Sequence, residues 1–273
     1  MDIIKDSFFI KLNAIVVIPV YKVELTKEEI ISLIQLQNII TQHQLCIVCP
    51  NSLDVSNYIA LFHKPLEIHI ERFDDNYFSD ISSYNRLMLT VDFYSRFLNY
   101  KYILIHQLDC YLFKDELDYW CKKGYDYIGA PWFFYQYNDM NSLRRFIFEI
   151  RRGLRVIFKR DIIKEDLYHK VGNGGLSLRS TKAFIRMLQN TPTTIIEKYC
   201  SNNTTSVYNE DVFWSIHAKY IRKPKYIEAS RFALDLGANY GLKLNNSVLP
   251  FGCHAWYKKA DQWKGFIKEL DTV

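Results

Sequence analysis

The sequence predicts an α/β protein in which helices cover both faces of a mainly parallel sheet. Short β-branched runs read as buried strands, amphipathic segments with helical spacing lie between them, and the two alternate along the chain. The chain has 273 residues, of which 49% are hydrophobic and 24% charged, so it is long and apolar enough to bury a large core. We predict one continuous domain over residues 1–273.

The first half of the chain carries most of this pattern. Residues 13–18 form a β-branched run that Pro19 stops, and residues 26–29 form a capping box at the start of a helix. The further predicted elements are a strand at 45–49, a strand around 66–70, a long helix from about 81 to 98, and a strand at 101–105. Parallel strands bind ligands beyond their carboxyl ends, so residues 13–110 are predicted to form a Rossmann-type nucleotide-binding half.

The second half, residues 111–260, is less regular. A short strand at 125–132 is expected, then a backbone-dominated loop at 172–175 that leads into residues 176–178. A capped helix is expected from 180 to 188, and a further helix from Asn209 through Ile216.

Composition excludes several classes of protein. The net charge of +5 is too small to indicate nucleic-acid binding, and no apolar run approaches the roughly 20 residues of a bilayer span. The N-terminus carries acidic residues and lacks a signal-peptide pattern, so a cytoplasmic protein is expected.

Six cysteines are too few for a disulfide scaffold. Cys46 and Cys49 have redox-motif spacing, but in a strand they would face opposite sides and pack in the core.

Two acidic motifs lie at the ends of predicted secondary-structure elements, where catalytic and ligand-binding residues often occur. Gln107–Asp109 comes directly after a buried strand, where Asp109 could hold a divalent cation or simply end the strand as a cap. Asn209–Asp211 begins a helix, where its acids could serve as helix caps or could supply a general base. From the residues alone both alternatives stay open at each motif.

Three weaker signals complete the candidates. Pro250–His254 presents His254 after a glycine turn, either as a packed histidine or as a metal ligand suited to manganese, with magnesium as the weaker choice. Gly172–Gly175 is either a simple turn or a place where a sugar or phosphate approaches the backbone. Arg86, on a helix, is either solvated or able to reach a diphosphate.

A basic segment at residues 141–164 holds eight Arg or Lys residues against two acids, an excess of 8 − 2 = +6. Apolar residues recur three or four positions apart within it. The segment could therefore lie flat on an anionic membrane, or it could pack on the domain with its arginines solvated.

In their order along the chain, five motifs resemble those of a bacterial family of unknown function that is related to the GT-A glycosyltransferases. The resemblance extends from about Ala14 to Trp256, and it implies a GT-A-like nucleotide-binding sandwich. The motifs are Gln107–Asp109, Tyr125–Trp132, Val171–Arg179, Asn209–Phe213 and Pro250–Trp256.

The resemblance also implies roles for individual residues. Asp109 would hold the metal ion together with His254, while Gln107 replaces the first acid of the D-x-D element. Asp211 would be the catalytic base. The residues implied to bind the acceptor are Glu210, Gly174, Gly175 and Trp132, and those implied to bind the donor are Pro19, Val20, Tyr21, Arg86, Gln107 and Asp109.

The expected activity is metal-dependent transfer of a sugar, with inversion, from a UDP- or GDP-linked donor to a glycan or a lipid-linked glycan. Mn²⁺ or Mg²⁺ would be the cofactor, and bacterial surface polysaccharide or lipopolysaccharide synthesis would be the setting. The protein would be cytoplasmic, with residues 141–164 able to bind the inner face of the cytoplasmic membrane. No nucleic-acid partner is expected. The alternative is a catalytically silent carbohydrate-binding or scaffold protein with the same fold.

Overall fold

A six-stranded sheet with the order β3-β2-β1-β4-β7-β6 forms the centre of the computed structural model, which describes residues 12–63, 67–133, 140–158, 164–200 and 206–270. β1, β2, β3 and β4 pair in parallel, and β7 runs antiparallel to both of its neighbours. A second sheet has three strands in the order β5-β9-β8. The predicted α/β fold with a mainly parallel central sheet is confirmed.

The strands are β1 (Leu12–Pro19), β2 (Gln44–Pro50), β3 (Ile68–Phe73), β4 (Tyr100–His106), β5 (Cys110–Leu112), β6 (Tyr127–Pro131), β7 (Val171–Ser180), β8 (Ala233–Leu234) and β9 (Gly252–His254). The helices are α1 (Lys27–Ile39), α2 (Ser56–Ile59), α3 (Ile81–Leu87), α4 (Val91–Ser95), α5 (Leu117–Lys123), α6 (Ser142–Ile157), α7 (Thr181–Gln189), α8 (Thr193–Cys200), α9 (Glu210–Val212), α10 (Tyr226–Phe232), α11 (Ala238–Leu244) and α12 (Ala260–Trp263).

The first predicted elements form for the expected reasons. Ile15 and Ile18 of β1 are fully buried or nearly so, which fits a strand covered on both faces. At the start of α1, the Thr26 side chain accepts a hydrogen bond from the Glu29 amide, and the Glu29 side chain accepts one from the Thr26 amide. This reciprocal capping satisfies two amides that a helix start would otherwise leave unpaired.

Alternate residues of the central strands point into two separate cores. Cys46 packs in the core on one face of the sheet, while Cys49 packs in the core on the other face. Both thiols are buried and free. The expectation that this pair packs in the core rather than forming a redox motif is confirmed.

The structure differs from the predicted elements in several places. The helix that follows Ser180 forms without a capping hydrogen bond from the serine side chain, and the helix expected from Asn209 through Ile216 is α-helical only over Glu210–Val212 and continues as a π-helix over Phe213–His217. The long helix expected from about 81 to 98 is instead two short helices: the first ends at Leu87, and the Thr90 hydroxyl caps the second by accepting from the Phe93 amide. The loop expected at 172–175 lies inside β7, where irregular pairing with β6 accommodates it. Residue 66 of the predicted third strand and residues 159–163 of the predicted basic segment lie outside the described residues.

The small sheet brings together segments that are far apart in sequence. β5 follows β4 directly, and its first residue, Cys110, is the register partner of His254 at the end of β9. β8 lies on the other side of β9 and ends at Leu234. The residues next to these strand ends therefore lie close together at one edge of the small sheet. Within the described ranges, no helix has the length and apolar character needed to cross a membrane.

Candidate active site

An open cavity of about 580 Å³ lies where the two sheets meet. Ten of the twelve residues predicted for the site line it, although they come from five separate parts of the chain. They are Pro19, Val20, Tyr21, Gln107, Asp109, Gly174, Gly175, Glu210, Asp211 and His254. A cavity of this size is typical of sites for small ligands and cofactors.

Asp109 and His254 face each other because of the pairing in the small sheet. Asp109 immediately precedes Cys110, the register partner of His254. The Asp109 Oδ1 atom lies 3.1 Å from His254 Nε2, and its Oδ2 atom lies 2.7 Å from the Lys258 ammonium nitrogen. Lys258 also lines the cavity, and its side chain is 57% exposed, so the ammonium group is accessible to a ligand.

The charges at this end of the cavity stabilise one another. Burial alone would raise the pKa of Asp109, but the His254 imidazole and the Lys258 ammonium outweigh it and hold the pKa below its ordinary value. Burial likewise opposes protonation of His254, while Asp109 and Asp235 raise its pKa to about 10. The cluster therefore combines two carboxylates with two groups that carry positive charge.

Asp235 and Asn173 belong to the site but were not predicted from the sequence. The Asn173 amide donates a hydrogen bond of 2.9 Å to Asp235 Oδ2, and the same oxygen lies 3.8 Å from His254 Nδ1. Both side chains are buried. Asn173 stands within the glycine motif already noted, whereas Asp235 follows an ordinary apolar pair, and only the tertiary fold places it behind the histidine.

Glu210 is held by Arg179, a fully buried side chain of β7. The Arg179 guanidinium donates to both carboxylate oxygens, at 2.9 and 3.1 Å, and also donates to the Ser177 and Tyr94 hydroxyls. A bidentate pair of this kind is strong and directional. Glu210 is thus engaged on both oxygens, an arrangement that suits positioning of its neighbours better than the acceptor contact expected from the sequence, which stays a prediction.

Asp211 has the features of a general base. Its Oδ1 atom is buried without a hydrogen-bond partner among the described residues, yet the residue lines the cavity. Burial and then the neighbouring Glu210 carboxylate raise the pKa of Asp211 to about 7, against the opposing effect of backbone hydrogen bonds from Val212 and Gly174. A carboxylate with a pKa near neutrality is well matched to accepting a proton at physiological pH.

The glycine pair of β7 makes room for the polar side chains. A Cβ atom at Gly174 would lie 2.5 Å from Glu210 Oε1 and 3.3 Å from Asp211 Cβ. A Cβ atom at Gly175 would overlap the His254 imidazole. The sequence suggested that these glycines let a sugar approach the backbone; in the structure they also admit the acid pair and the histidine.

Two of the predicted residues lie outside the cavity. Arg86 is exposed and its guanidinium reaches the carbonyl of Cys200, because successive residues on a helix point about 100° apart and Tyr84 and Asn85 face the cavity instead. Trp132 is only 8% exposed and packs in the core beneath the sheet. Neither residue lines the cavity, and the predicted roles of Arg86 in donor binding and of Trp132 in acceptor binding stay predictions.

Asp109 and His254 fit a divalent cation as two of its ligands, provided that the cation displaces the proton that His254 Nε2 holds towards Asp109. Their facing atoms lie 3.1 Å apart, close to the roughly 3 Å between adjacent ligands of an octahedral ion of this size. Asp235 stands behind the imidazole, as carboxylates do behind histidines that bind metals. Among the described residues no group of three or more His, Cys, Asp or Glu could hold a metal ion, so the other ligands would have to come from substrate or water.

Comparison with solved structures identifies the fold. The chain is similar to the galactosyltransferase LgtC in complex with donor and acceptor sugar analogs, with a TM-score of 0.58 at 12% identity over 94% of each chain. It is also similar to mouse xyloside xylosyltransferase 1, with a TM-score of 0.51 at 10% identity over 89% of this chain and 97% of the other. The bifunctional glycosyltransferase WbbM gives a TM-score of 0.51 at 12% identity over 93% of this chain and 46% of the other.

These similarities define the class of the protein: it has the GT-A glycosyltransferase fold, as the sequence motifs predicted. Within that class, the chain belongs to the family described as protein of unknown function (DUF5672), whose profile matches residues 67–254. The search of curated proteins found no significant match. The predicted resemblance to a GT-A-related family of unknown function is confirmed.

Proposed function

We propose that this protein is a glycosyltransferase that moves a sugar from a nucleotide donor to a hydroxyl group of a glycan. The observation that carries the proposal is the convergence of Asp109, Asp211 and His254 on one cavity in a GT-A fold. These residues lie more than 100 positions apart from first to second and more than 40 from second to third. A cavity lined by an unpartnered carboxylate and by a cationic cluster suits a reaction between a hydroxyl group and an anionic donor.

Asp211 would act as the base. Its unpartnered Oδ1 atom is available to accept the proton of an acceptor hydroxyl, and its raised pKa allows it to hold that proton after transfer. The oxygen that loses the proton forms the new bond to the anomeric carbon, while the bond from that carbon to the diphosphate breaks. Attack from the face opposite the diphosphate inverts the anomeric configuration.

Arg179, Glu210 and Asn85 would position Asp211. Glu210 is fixed by the arginine through its carboxylate and by Asn85 through its backbone amide, which donates to the Asn85 side chain at 3.3 Å. Because Asp211 is the next residue, this anchoring fixes the direction of its carboxylate. None of the three positioning residues needs to touch the reacting atoms.

The cluster of Asp109, His254 and Lys258 would bind the diphosphate. The exposed Lys258 ammonium offers a positive charge for the donor's anionic oxygens, and breaking its pair with Asp109 would free that carboxylate. Asp109 and His254 would hold Mn²⁺ or Mg²⁺, and a bound cation would stabilise negative charge on the leaving diphosphate. Pro19, Val20 and Tyr21, which follow the first strand, would border the base of a UDP- or GDP-linked donor.

The acceptor belongs to the same proposal. We infer a glycan or a lipid-linked glycan in the synthesis of bacterial surface polysaccharide or lipopolysaccharide, with the enzyme in the cytoplasm. Residues 78–81 line the cavity at the start of α3, the helix that carries Asn85. The Ile81 side chain is 73% exposed. These residues would contact the acceptor.

A catalytically silent carbohydrate-binding protein is the second candidate. It is favoured by Gln107 at the position of the first acid and by the pairing of Asp109 with Lys258. The two candidates differ in turnover: a transferase releases nucleoside diphosphate from its donor, whereas a silent protein only binds.

The experiment is a screen of UDP- and GDP-sugars for thermal stabilisation, with and without Mn²⁺, followed by measurement of nucleoside diphosphate release. A ligand that binds only the folded protein raises the melting temperature. We expect one donor to stabilise the protein and to be turned over, with an inverted anomeric centre in the product as read by NMR. Stabilisation without any release would support the silent alternative, and a product with retained configuration would remove Asp211 from the role of base.

A further inference from the structure

Helix α6 presents its apolar side chains to solvent. The large apolar side chains that it exposes are each between 41% and 71% accessible. Exposed hydrophobic side chains normally occur singly on a protein surface, so a group of them is unusual. At 100° per residue they fall within about one third of the helix circumference, so they form one continuous stripe. The stripe consists of Leu143, Phe146, Ile147, Ile150, Leu154, Ile157 and, just beyond the helix, Phe158.

The helix contacts the rest of the protein through its charged side. Arg152 donates to the backbone carbonyls of Asp166 and Tyr168, at 3.3 and 3.0 Å, and Arg155 lies 3.8 Å from the Asp166 carboxylate. An amphipathic helix that packs on a domain ordinarily buries its apolar side. Here the polar side is docked, and the apolar stripe is exposed among the residues that the structure describes.

Positive charge borders the stripe. Arg144 and Arg151 lie on one flank of it, about 80–100° from its first residue, Leu143. Both are exposed, and neither forms an ion pair among the described residues. The helix as a whole carries five arginines and one glutamate, an excess of 5 − 1 = +4.

We propose that the α6 stripe, defined by the seven apolar residues above, docks onto an anionic bilayer surface with Arg144 and Arg151 at the phosphate level. The observed arrangement supplies both contributions to interfacial binding. Apolar side chains can enter the boundary of the acyl chains, and the cations beside them attract anionic headgroups. A helix that exposes long aliphatic and phenylalanine side chains along one side matches a flat, deformable surface.

The docking helix is connected to the cavity. The carbonyls that anchor Arg152 lie just before β7, the strand that brings Gly174 and Gly175 to the site. Membrane docking would therefore hold the cavity close to the bilayer, where a lipid-linked acceptor would be found. The binding itself uses neither donor nor acceptor, so its test is separate from that of the transferase proposal.

The test is co-sedimentation of the full chain with two kinds of vesicle, phosphatidylcholine alone and phosphatidylcholine with about one-third phosphatidylglycerol. We expect binding to the anionic vesicles, little binding to the neutral ones, and a fall in binding as salt is added. The variant Phe146→Ser/Ile150→Ser/Leu154→Ser should lose at least tenfold in vesicle affinity. The variant Arg144→Glu/Arg151→Glu should lose at least fivefold.

Matched controls replace residues that are equally exposed elsewhere. Tyr119→Ser/Val248→Ser removes two exposed apolar side chains, and Lys122→Glu/Lys264→Glu reverses two exposed charges. Both should bind vesicles like the wild type. Circular dichroism and thermal melting identify any variant that fails to fold.

Three outcomes would overturn the proposal. The wild type could fail to bind anionic vesicles, or the α6 variants could bind as well as the controls do. Light scattering could also show a dimer that the serine variant dissolves, which would make a second copy of the chain the partner of the stripe.

Discussion

At the scale of single residues, Asp211 connects the geometry of the site to a measurable pH dependence. Its pKa is raised to about 7 by burial and by Glu210, so a base at this position is half protonated near neutrality. We expect kcat/KM to rise with pH up to about 7 and then to level off. Asp211→Asn should lower kcat by about 10²–10⁴-fold, the usual contribution of general base catalysis.

The same pKa shift predicts a change in stability. A carboxyl group whose pKa is higher in the folded than in the unfolded protein binds protons more tightly when folded, so it favours folding at low pH and loses that contribution as pH rises through about 7. Asp211→Asn should therefore be more stable than the wild type at pH 8. Equal melting temperatures at pH 8 would show that ionisation of the Asp211 carboxyl group does not destabilise the folded protein.

Arg179 gives a second prediction at this scale. Arg179→Met would leave the Glu210 carboxylate buried without its partner, which costs about 3–5 kcal/mol of unfolding free energy. Adding Glu210→Gln should recover much of that stability, because the buried charge is then removed. Chemical denaturation of the two variants measures the difference.

Activity then separates positioning from stability in this pair. If Arg179 and Glu210 orient Asp211, the stabilised double variant should still have a lower kcat than the wild type. A double variant with wild-type kcat would mean that the pair serves folding alone.

The sequence could predict the acids and the histidine of the site but not their partners. Asp109, Asp211 and His254 are chemically conspicuous and stand next to recognisable strand or helix ends. Asp235 and Lys258 reach the same cluster only through the pairing of β8 and β9, which join segments far from β5. Local patterns carry no record of such long-range register.

At the scale of the secondary-structure elements, β7 shows how a strand can shape a site. Its glycines at 174 and 175 leave the space that Glu210 and His254 occupy. From the sequence, their lack of side chains indicated a loop. The backbone instead continues as a strand: the two glycines lie at a break in the register with β6, between Asn173 and Ser177, and the Gly175 carbonyl accepts a hydrogen bond of 3.0 Å from the Gln107 amide just after β4.

Gly175→Ala tests this arrangement. The added methyl group would overlap the His254 ring, so the histidine must move, and overpacking of this kind costs about 1–3 kcal/mol. We expect donor affinity to fall by at least tenfold in titration calorimetry. Gly153→Ala on α6 is the control: nothing lies within 4 Å of the added atom, and the change should leave donor binding as it is.

The break between α3 and α4 could not be predicted from the sequence pattern. The apolar spacing from residue 81 to 98 is helical throughout, but Thr90 accepts from the Phe93 amide and starts a new helix. The threonine hydroxyl competes with the backbone for this amide, and such local competition is difficult to judge from periodicity alone. Within α3, Tyr84 and Asn85 rather than Arg86 face the cavity.

At the scale of the whole molecule, the fold was predictable because many independent signals agree. Buried strands, capped helices and the order of the motifs all pointed to one α/β architecture, and the structural similarities confirm it. The division into residues 13–110 and 111–260 within one domain stays a prediction. The cavity lies between the two parts, with Pro19 and Asp109 from the first and Asp211 and His254 from the second.

The central claim concerns this cavity as one catalytic site, and turnover of a nucleotide sugar tests it most directly. The measurement is nucleoside diphosphate release from a panel of UDP- and GDP-sugars, comparing the wild type with Asp109→Ala, Asp211→Asn and the exposed control Asp261→Asn. The account predicts release with one donor, a loss of at least 100-fold in both site variants, and an unchanged rate in the control. Equal rates in all four proteins, or a wild type that neither binds nor cleaves any donor, would contradict it.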